Sequence, residues 1–364
     1  MDSLTHHRFF STTLLAAFAV VALLSVACRE KTSFLTIVEQ TPYLGLDPTV
    51  RHISCFNVAR LKGRDEFRQF KRDALWRDKL GPLLNQMANR TSLKPLDRID
   101  LLILASSGRR DALIPLKNTV FVARGRFEGL IGQLDDLRNW LGEEFLIAPP
   151  AFMGSAHPGT EFRTYHLAAK SQFNERIRYD LYVCLVSDSL LVFSLSQHQF
   201  NRTLNVMGGL KEGLQADGDW MALLQHPNIG ATIWGAGYVS SPWAAGIAAG
   251  VPSLQNLPLA KRYFYDVEFY QNKIDAEIGL ICETIDSATA LTPGLRAAIE
   301  PIVGWLGTLS PIPTPIAVLP RQARVQTELN ISTINLVLSG QVLSGVLYEW
   351  AKLNDARIYG AATP

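Results

Sequence analysis

The chain has 364 residues, 48% of them hydrophobic and 19% charged, with a formal net charge of +2. That is ample material for a core, and the length predicts about two domains by the usual prior of ~150 residues each. A charge this mild excludes nucleic acid and a polybasic membrane patch as expected partners.

Residues 9–28 read FFSTTLLAAFAVVALLSVAC behind the polar head MDSLTHHR. A secretory signal needs a basic head, an apolar middle and small residues before the cut. His6, His7 and Arg8 supply the head, Leu14 to Leu24 the middle, and Ser25, Val26 and Ala27 precede Cys28. This resembles the lipobox of bacterial lipoproteins. The resemblance implies that residues 1–27 are a signal peptide and that Cys28 becomes the first mature residue, carrying diacylglycerol on its sulfur. Ala27 fits the pattern, whereas Ser25 stands where the family usually places Leu. Two other readings stay open. The apolar run is about long enough to remain as an uncut membrane anchor, or an ordinary signal peptidase cuts near Ala27 and releases the body. All three put the folded part outside the cytoplasm. Arg29, not Asp, follows the cysteine, which by analogy with lipoprotein sorting favours the outer membrane with the body facing the periplasm.

Residues 28–50 read as a tether and lead-in, and HISCFNVARL after them as a strand. Phe67, Phe70, Ala74, Leu75 and Leu80 recur at helical spacing, and Gly81-Pro82 should break that helix. From there a pattern of strand, strand, helix recurs four times. DLLILA and NTVFVARGRF lead into a helix over Glu128 to Leu141. RYDLYVCLVSD and SLLVFSLS form a hairpin ahead of QHQFNRTLNVM. KRYFYDVEFYQ and KIDAEIGLICE precede a helix from Ile285 to Leu306, interrupted at Pro293 and Pro301. RVQTELN and INLVLSG precede QVLSGVLYEWAKL. Ile274, Ala276, Ile278 and Leu280 alternate with Asp275, Glu277 and Gly279, the period of a strand with one buried face. The expected fold is α+β: antiparallel sheets covered by helices and built from repeated strand-strand-helix units. The uncharged, Ala-, Gly- and Pro-rich segment 239–260 is the expected linker between a first domain over 51–238 and a second over 261–364. Its Trp243 is either a buried linker residue, the favoured reading, or a contact for a partner.

Besides Cys28, the cysteines are Cys55, Cys184 and Cys282, each in strand-like apolar surroundings with no metal-ligand spacing. Buried free thiols are expected, although an exported protein permits one disulfide, whose pairing the sequence leaves open. There is no phosphate loop, nucleophile elbow or zinc-protease motif, so no cofactor, metal or catalytic residue is assigned. His157 and Ser155 lie two apart in MGSAHPG, which reads as a surface loop, since a triad also needs an acid and an oxyanion site. In KRYFYDVEFYQ, Tyr263, Tyr265 and Phe269 share one face as core. Phe264 and Tyr270 share the other with Asp266 and Glu268, where an aromatic could stack on a sugar or peptide.

The body resembles, in general texture, uncharacterised bacterial lipoproteins whose leader precedes a periplasmic α+β domain, a family with no assigned activity. The expected function is a non-enzymatic, membrane-anchored binding or scaffolding protein with an envelope protein as partner. A carrier or chaperone for an apolar ligand, and a hydrolase with a site assembled from distant residues, are the alternatives.

Overall fold

The computed structural model describes residues 34–64, 95–107, 118–130, 151–170, 178–240, 251–270, 273–308 and 323–339, with a few single positions between them. The expected helices over 67–80 and 341–353, and most of that over 128–141, lie outside the described residues, as do Cys28 and Trp243.

Twelve strands form one antiparallel sheet. In chain order they are β1 (His52–Asn57), β2 (Ile99–Ser106), β3 (Thr119–Gly125), β4 (Ala151–Ala156), β5 (Arg163–Lys170), β6 (Arg178–Ser187), β7 (Leu190–Ser194), β8 (Ile233–Tyr238), β9 (Ala260–Tyr270), β10 (Lys273–Cys282), β11 (Ala323–Glu328) and β12 (Ile331–Ser339). Across the sheet the order is β11-β12-β10-β9-β8-β1-β2-β3-β7-β6-β5-β4. The strand nearest the leader is therefore central: β1 pairs with β2 on one side and with β8 on the other. Among the described residues the helices are α1 (Phe34–Gln40), α2 (Val58–Lys62), α3 (Pro95–Arg98), α4 (Gln197–Met207), α5 (Gly218–Leu223) and α6 (Ile285–Thr308).

The two faces are covered differently in the two halves. On one face Ile53, Cys55, Ile103, Val120, Val122, Val192 and Trp234 form the main core with Val38 of α1, Phe200 and Leu204 of α4, and Trp220 and Leu223 of α5. Trp220 is fully buried, and its indole N–H donates to the Pro48 carbonyl at 3.3 Å. Register places Tyr263, Ile278 and Leu280 on the opposite face. There Leu280, Leu291 and Leu295 pack with Ile334 and Val325 beneath α6. A true repeat would lay each unit's helix on the same face. Here α4, after the β6–β7 hairpin, and α6, after the β9–β10 hairpin, cover opposite faces. Four strands outside every expected unit, β1, β4, β5 and β8, also belong to the sheet, with β8 and β1 lying between the third unit and the first. The α+β class stands and the repeat does not.

Several local expectations change for identifiable reasons. The strand starting at His52 stops at Asn57, because the Asn57 side chain accepts from the Arg60 N–H at 3.0 Å and caps α2. The MGSAHPG segment is β4 and its turn into β5, with Gly159 at φ +76°. Within the expected 28–50 lead-in, Val38, Leu46 and Val50 are buried in the main core. The segment 239–260 joins two paired neighbours, β8 and β9, so both expected domains share the sheet. Its Ala244, Leu257 and Ala260 pack in the core beneath α6. Cys55, Cys184 and Cys282 are buried free thiols.

Candidate functional site

Chemistry-bearing side chains converge most closely where β9 faces β1 across β8. Strand β8 carries Gly235 and Gly237 on the face of α6. A Cβ at Gly235 would lie 2.4 Å from the Tyr265 ring, and one at Gly237 would lie 2.9 Å from the Tyr263 hydroxyl. The missing side chains let both tyrosines lie over β8 and reach β1. Tyr263 Oη meets His52 Nδ1 at 2.5 Å, His52 Nε2 meets Ser54 Oγ at 2.6 Å, and Ser54 Oγ meets Tyr265 Oη at 2.7 Å.

Burial lowers the His52 pKa and raises those of both tyrosines. At neutral pH all four groups are therefore uncharged. A neutral imidazole donates from one nitrogen and accepts at the other, so the chain runs in one of two senses. Either Tyr263 donates to His52 and His52 to Ser54, with Ser54 or Tyr265 as donor in the last bond, or Tyr265 donates to Ser54, Ser54 to His52 and His52 to Tyr263. Ser54 and His52 have the spacing of a nucleophile and its base. A tyrosine, not a carboxylate, holds the second imidazole nitrogen, and Ser54 is only 6% exposed. Strand β1 is also paired along both sides, which commits its backbone N–H groups to ladders and leaves none for an oxyanion. The arrangement does what a cross-strand hydrogen-bond ladder does: it ties β9 to β1. Its sequence signature is three pairs spaced by two, His52/Ser54, Gly235/Gly237 and Tyr263/Tyr265.

On the other face Glu268 is buried and fully engaged. It accepts from Arg64 Nη2 at 3.0 Å, the Thr232 hydroxyl at 2.7 Å and the Thr232 N–H at 3.2 Å, and it pairs with Arg60 Nη1 at 3.2 Å. Register sets Asp266 opposite Glu277 and Glu268 opposite Asp275. Burial, then the nearby Glu268 charge, raises the Asp266 pKa, although the Asn228 N–H bond opposes this. Burial and the Asp266 charge raise that of Glu277. Among the described residues no group of three or more His, Cys, Asp or Glu side chains is placed to hold a metal ion.

The structure does not bring Ser155 and His157 together as a pair. His157 is buried with Nε2 2.9 Å from Asn205 Oδ1, while Ser155 Oγ lies 3.0 Å from Thr164 Oγ1. Phe264, expected on a face open to a ligand, is buried in the main core and stacks on His226. Tyr270 stays half-exposed beside the Lys273 ammonium.

No protein-family pattern matches the chain, and no curated protein matches its sequence. Solved structures of TP0453 are similar to the chain. Crystal form III aligns with TM-score 0.45 and 12% identity over 84% of this chain and 96% of that one. Form I aligns with 0.43 and 10% over 85% and 97%. No helix among the described residues is long and apolar enough to cross a membrane.

Proposed function

We propose that the protein is a cell-envelope lipoprotein, anchored through Cys28 and facing the periplasm, that binds or scaffolds an envelope protein without catalysing a reaction. The observation that carries this reading is the leader: an apolar run with small residues before Cys28, six positions ahead of Phe34, the first residue of α1. A diacylglyceryl group plus an N-acyl chain gives the two or more chains that stable anchoring requires. The non-enzymatic part draws on the Ser54–His52 pair, which is covered and lacks oxyanion donors. The test is fractionation of wild type and Cys28→Ala with a fatty-acid probe. The expected outcome is label on the wild type, and a mutant that is unlabelled and either soluble or unprocessed. A mutant that still pellets at mature size, with no label on the wild type, overturns the anchor.

A second reading, carriage of an apolar ligand, draws on Leu102, Leu104, Phe121 and Phe193. They form a half-buried row on the face opposite the main core, with Phe121 and Phe193 stacked at 4.8 Å. Native mass spectrometry distinguishes it through co-purified lipid mass.

A further inference from the structure

Only residues 29–33 separate Cys28 from Phe34, where α1 begins. Helix α1 is fixed to the body. Val38 is fully buried, the Gln40 carbonyl accepts from Arg124 Nη1 at 2.8 Å, and Glu39 accepts from the Ser189 hydroxyl at 3.3 Å. These partners mark one end of the sheet. There β3 finishes at Gly125, the β6–β7 turn carries Ser189, β1 finishes at Asn57, and the β9–β10 connection follows Tyr270. Successive Cα atoms span at most ~3.6 Å, so the six steps from Cys28 to Phe34 reach about 20 Å in any conformation. Twelve strands at ~4.8 Å spacing make a sheet about 50 Å wide. A link that short keeps the α1 end of the sheet within about 20 Å of the bilayer that holds the Cys28 chains, nearer than any other part of so wide a body needs to be.

We propose that the α1 end of the sheet docks on the lipid surface, which rests on the Cys28 anchor of the reading above. The occupant is the headgroup layer of the bilayer that holds the Cys28 chains. Exposed apolar side chains stand at this end: Ile37 on α1, Leu210 over Gly159 of the β4–β5 turn, Ile229 ahead of β8, and Tyr270. Tyr270 lies 5.8 Å from the Lys273 ammonium, and that pairing of an apolar body with a charged tip suits headgroup depth. Leu329 in the β11–β12 turn, Ile285 at the start of α6 and Val251 ahead of β9 are exposed at the opposite end, so the short link from Cys28, not apolar exposure alone, sets the orientation. That end, where β8 finishes and β9 begins, faces away from the membrane and is presented to a protein partner.

The test reconstitutes the lipidated full-length protein into vesicles of phosphatidylethanolamine and phosphatidylglycerol. Leu210→Cys, Tyr270→Cys, Ile285→Cys and Leu329→Cys variants each carry one bimane, and the buried Cys55, Cys184 and Cys282 stay unlabelled. Doxyl-lipid quenching is expected to be stronger, by about threefold, for the Leu210→Cys and Tyr270→Cys labels than for the other two. Quenching there that is no stronger than at Ile285→Cys and Leu329→Cys, on protein that floats with the vesicles, overturns the orientation and leaves the anchor intact. Wild-type protein that does not float overturns the anchor, and the orientation with it.

Discussion

His52 holds both ring nitrogens against hydroxyls, from Tyr263 and Ser54, in a site whose burial lowers its pKa. The unfolded chain releases this proton near pH ~6.5, whereas the folded chain stays neutral to lower pH. The folded state thus binds fewer protons between those two values, so stability rises with pH across that window. The contribution is complete above about pH 6.5 and fades as pH falls toward the folded pKa. His52→Gln keeps hydrogen-bonding capacity without a titrating ring. We expect it to lower stability at pH 7.5 by about 1–2 kcal/mol, through imperfect replacement of two buried bonds. We also expect it to flatten the loss between pH 7.5 and 5.5, since His226, also lowered by burial, titrates in both proteins. Urea denaturation across that range checks both. An unchanged slope would remove His52 as the source. The ladder was hard to read in the sequence because its partners are 211 residues apart. The alternation of Tyr263 and Tyr265 was visible, but not the glycines of β8 beneath them.

At the scale of elements, legibility followed how local the determinants are. Helix α4 has the residues the spacing predicts, 197–207, because its start and stop are local: the Ser196 hydroxyl accepts from the Gln199 N–H, and Gly208 follows. Helix α6 was expected to be interrupted at Pro293 and Pro301, yet it is continuous over Ile285–Thr308. A proline removes one N–H and opens the preceding turn. Here a distant segment fits the disturbed turn. Asn256 Nδ2 donates to the Ala290 carbonyl at 2.8 Å, and the Pro252–Leu254 turn packs against Gly294. A Cβ at Gly294 would lie 2.0 Å from the Ser253 carbonyl oxygen, so a backbone segment would have to move. Helix propensity alone would make Gly294→Ala stabilising by about 1 kcal/mol. We expect the overlap to win and the variant to be destabilised by about 1–2 kcal/mol net, as overpacking usually costs. Gly218→Ala, where a Cβ meets nothing within 4 Å, is the control and should be neutral or slightly stabilising. Chemical denaturation of the two variants separates the effects. A stabilised Gly294→Ala would mean that the turn yields easily.

Across the whole molecule, strand pairing overrides the punctuation along the chain. The segment 239–260 has the composition of a linker, but β8 and β9 on either side pair from Ile233 with Val267 to Tyr238 with Arg262. Side chains reinforce the seam, through the tyrosine–histidine–serine ladder on one face and Glu268 with Arg60 and Arg64 on the other. No local pattern reveals that β1 accepts β8 as a neighbour, because that pairing closes only after more than half the chain is made. The buried thiols give a direct test of the resulting cooperativity. Cys55 lies in central β1 and Cys184 in β6, both with pKa pushed up to about 12 by burial, while Cys282 ends β10 beneath α6. A protonated, covered thiol reacts slowly, so each becomes reactive only when its surroundings open. Two independently folding domains would release Cys282 at a different urea concentration from Cys55 and Cys184. The continuous sheet predicts that pulsed thiol labelling, read by peptide mass spectrometry, gives one midpoint for all three. Release of Cys282 ahead of the others would show that the seam between β8 and β9 opens as a boundary and that the half covered by α6 unfolds by itself.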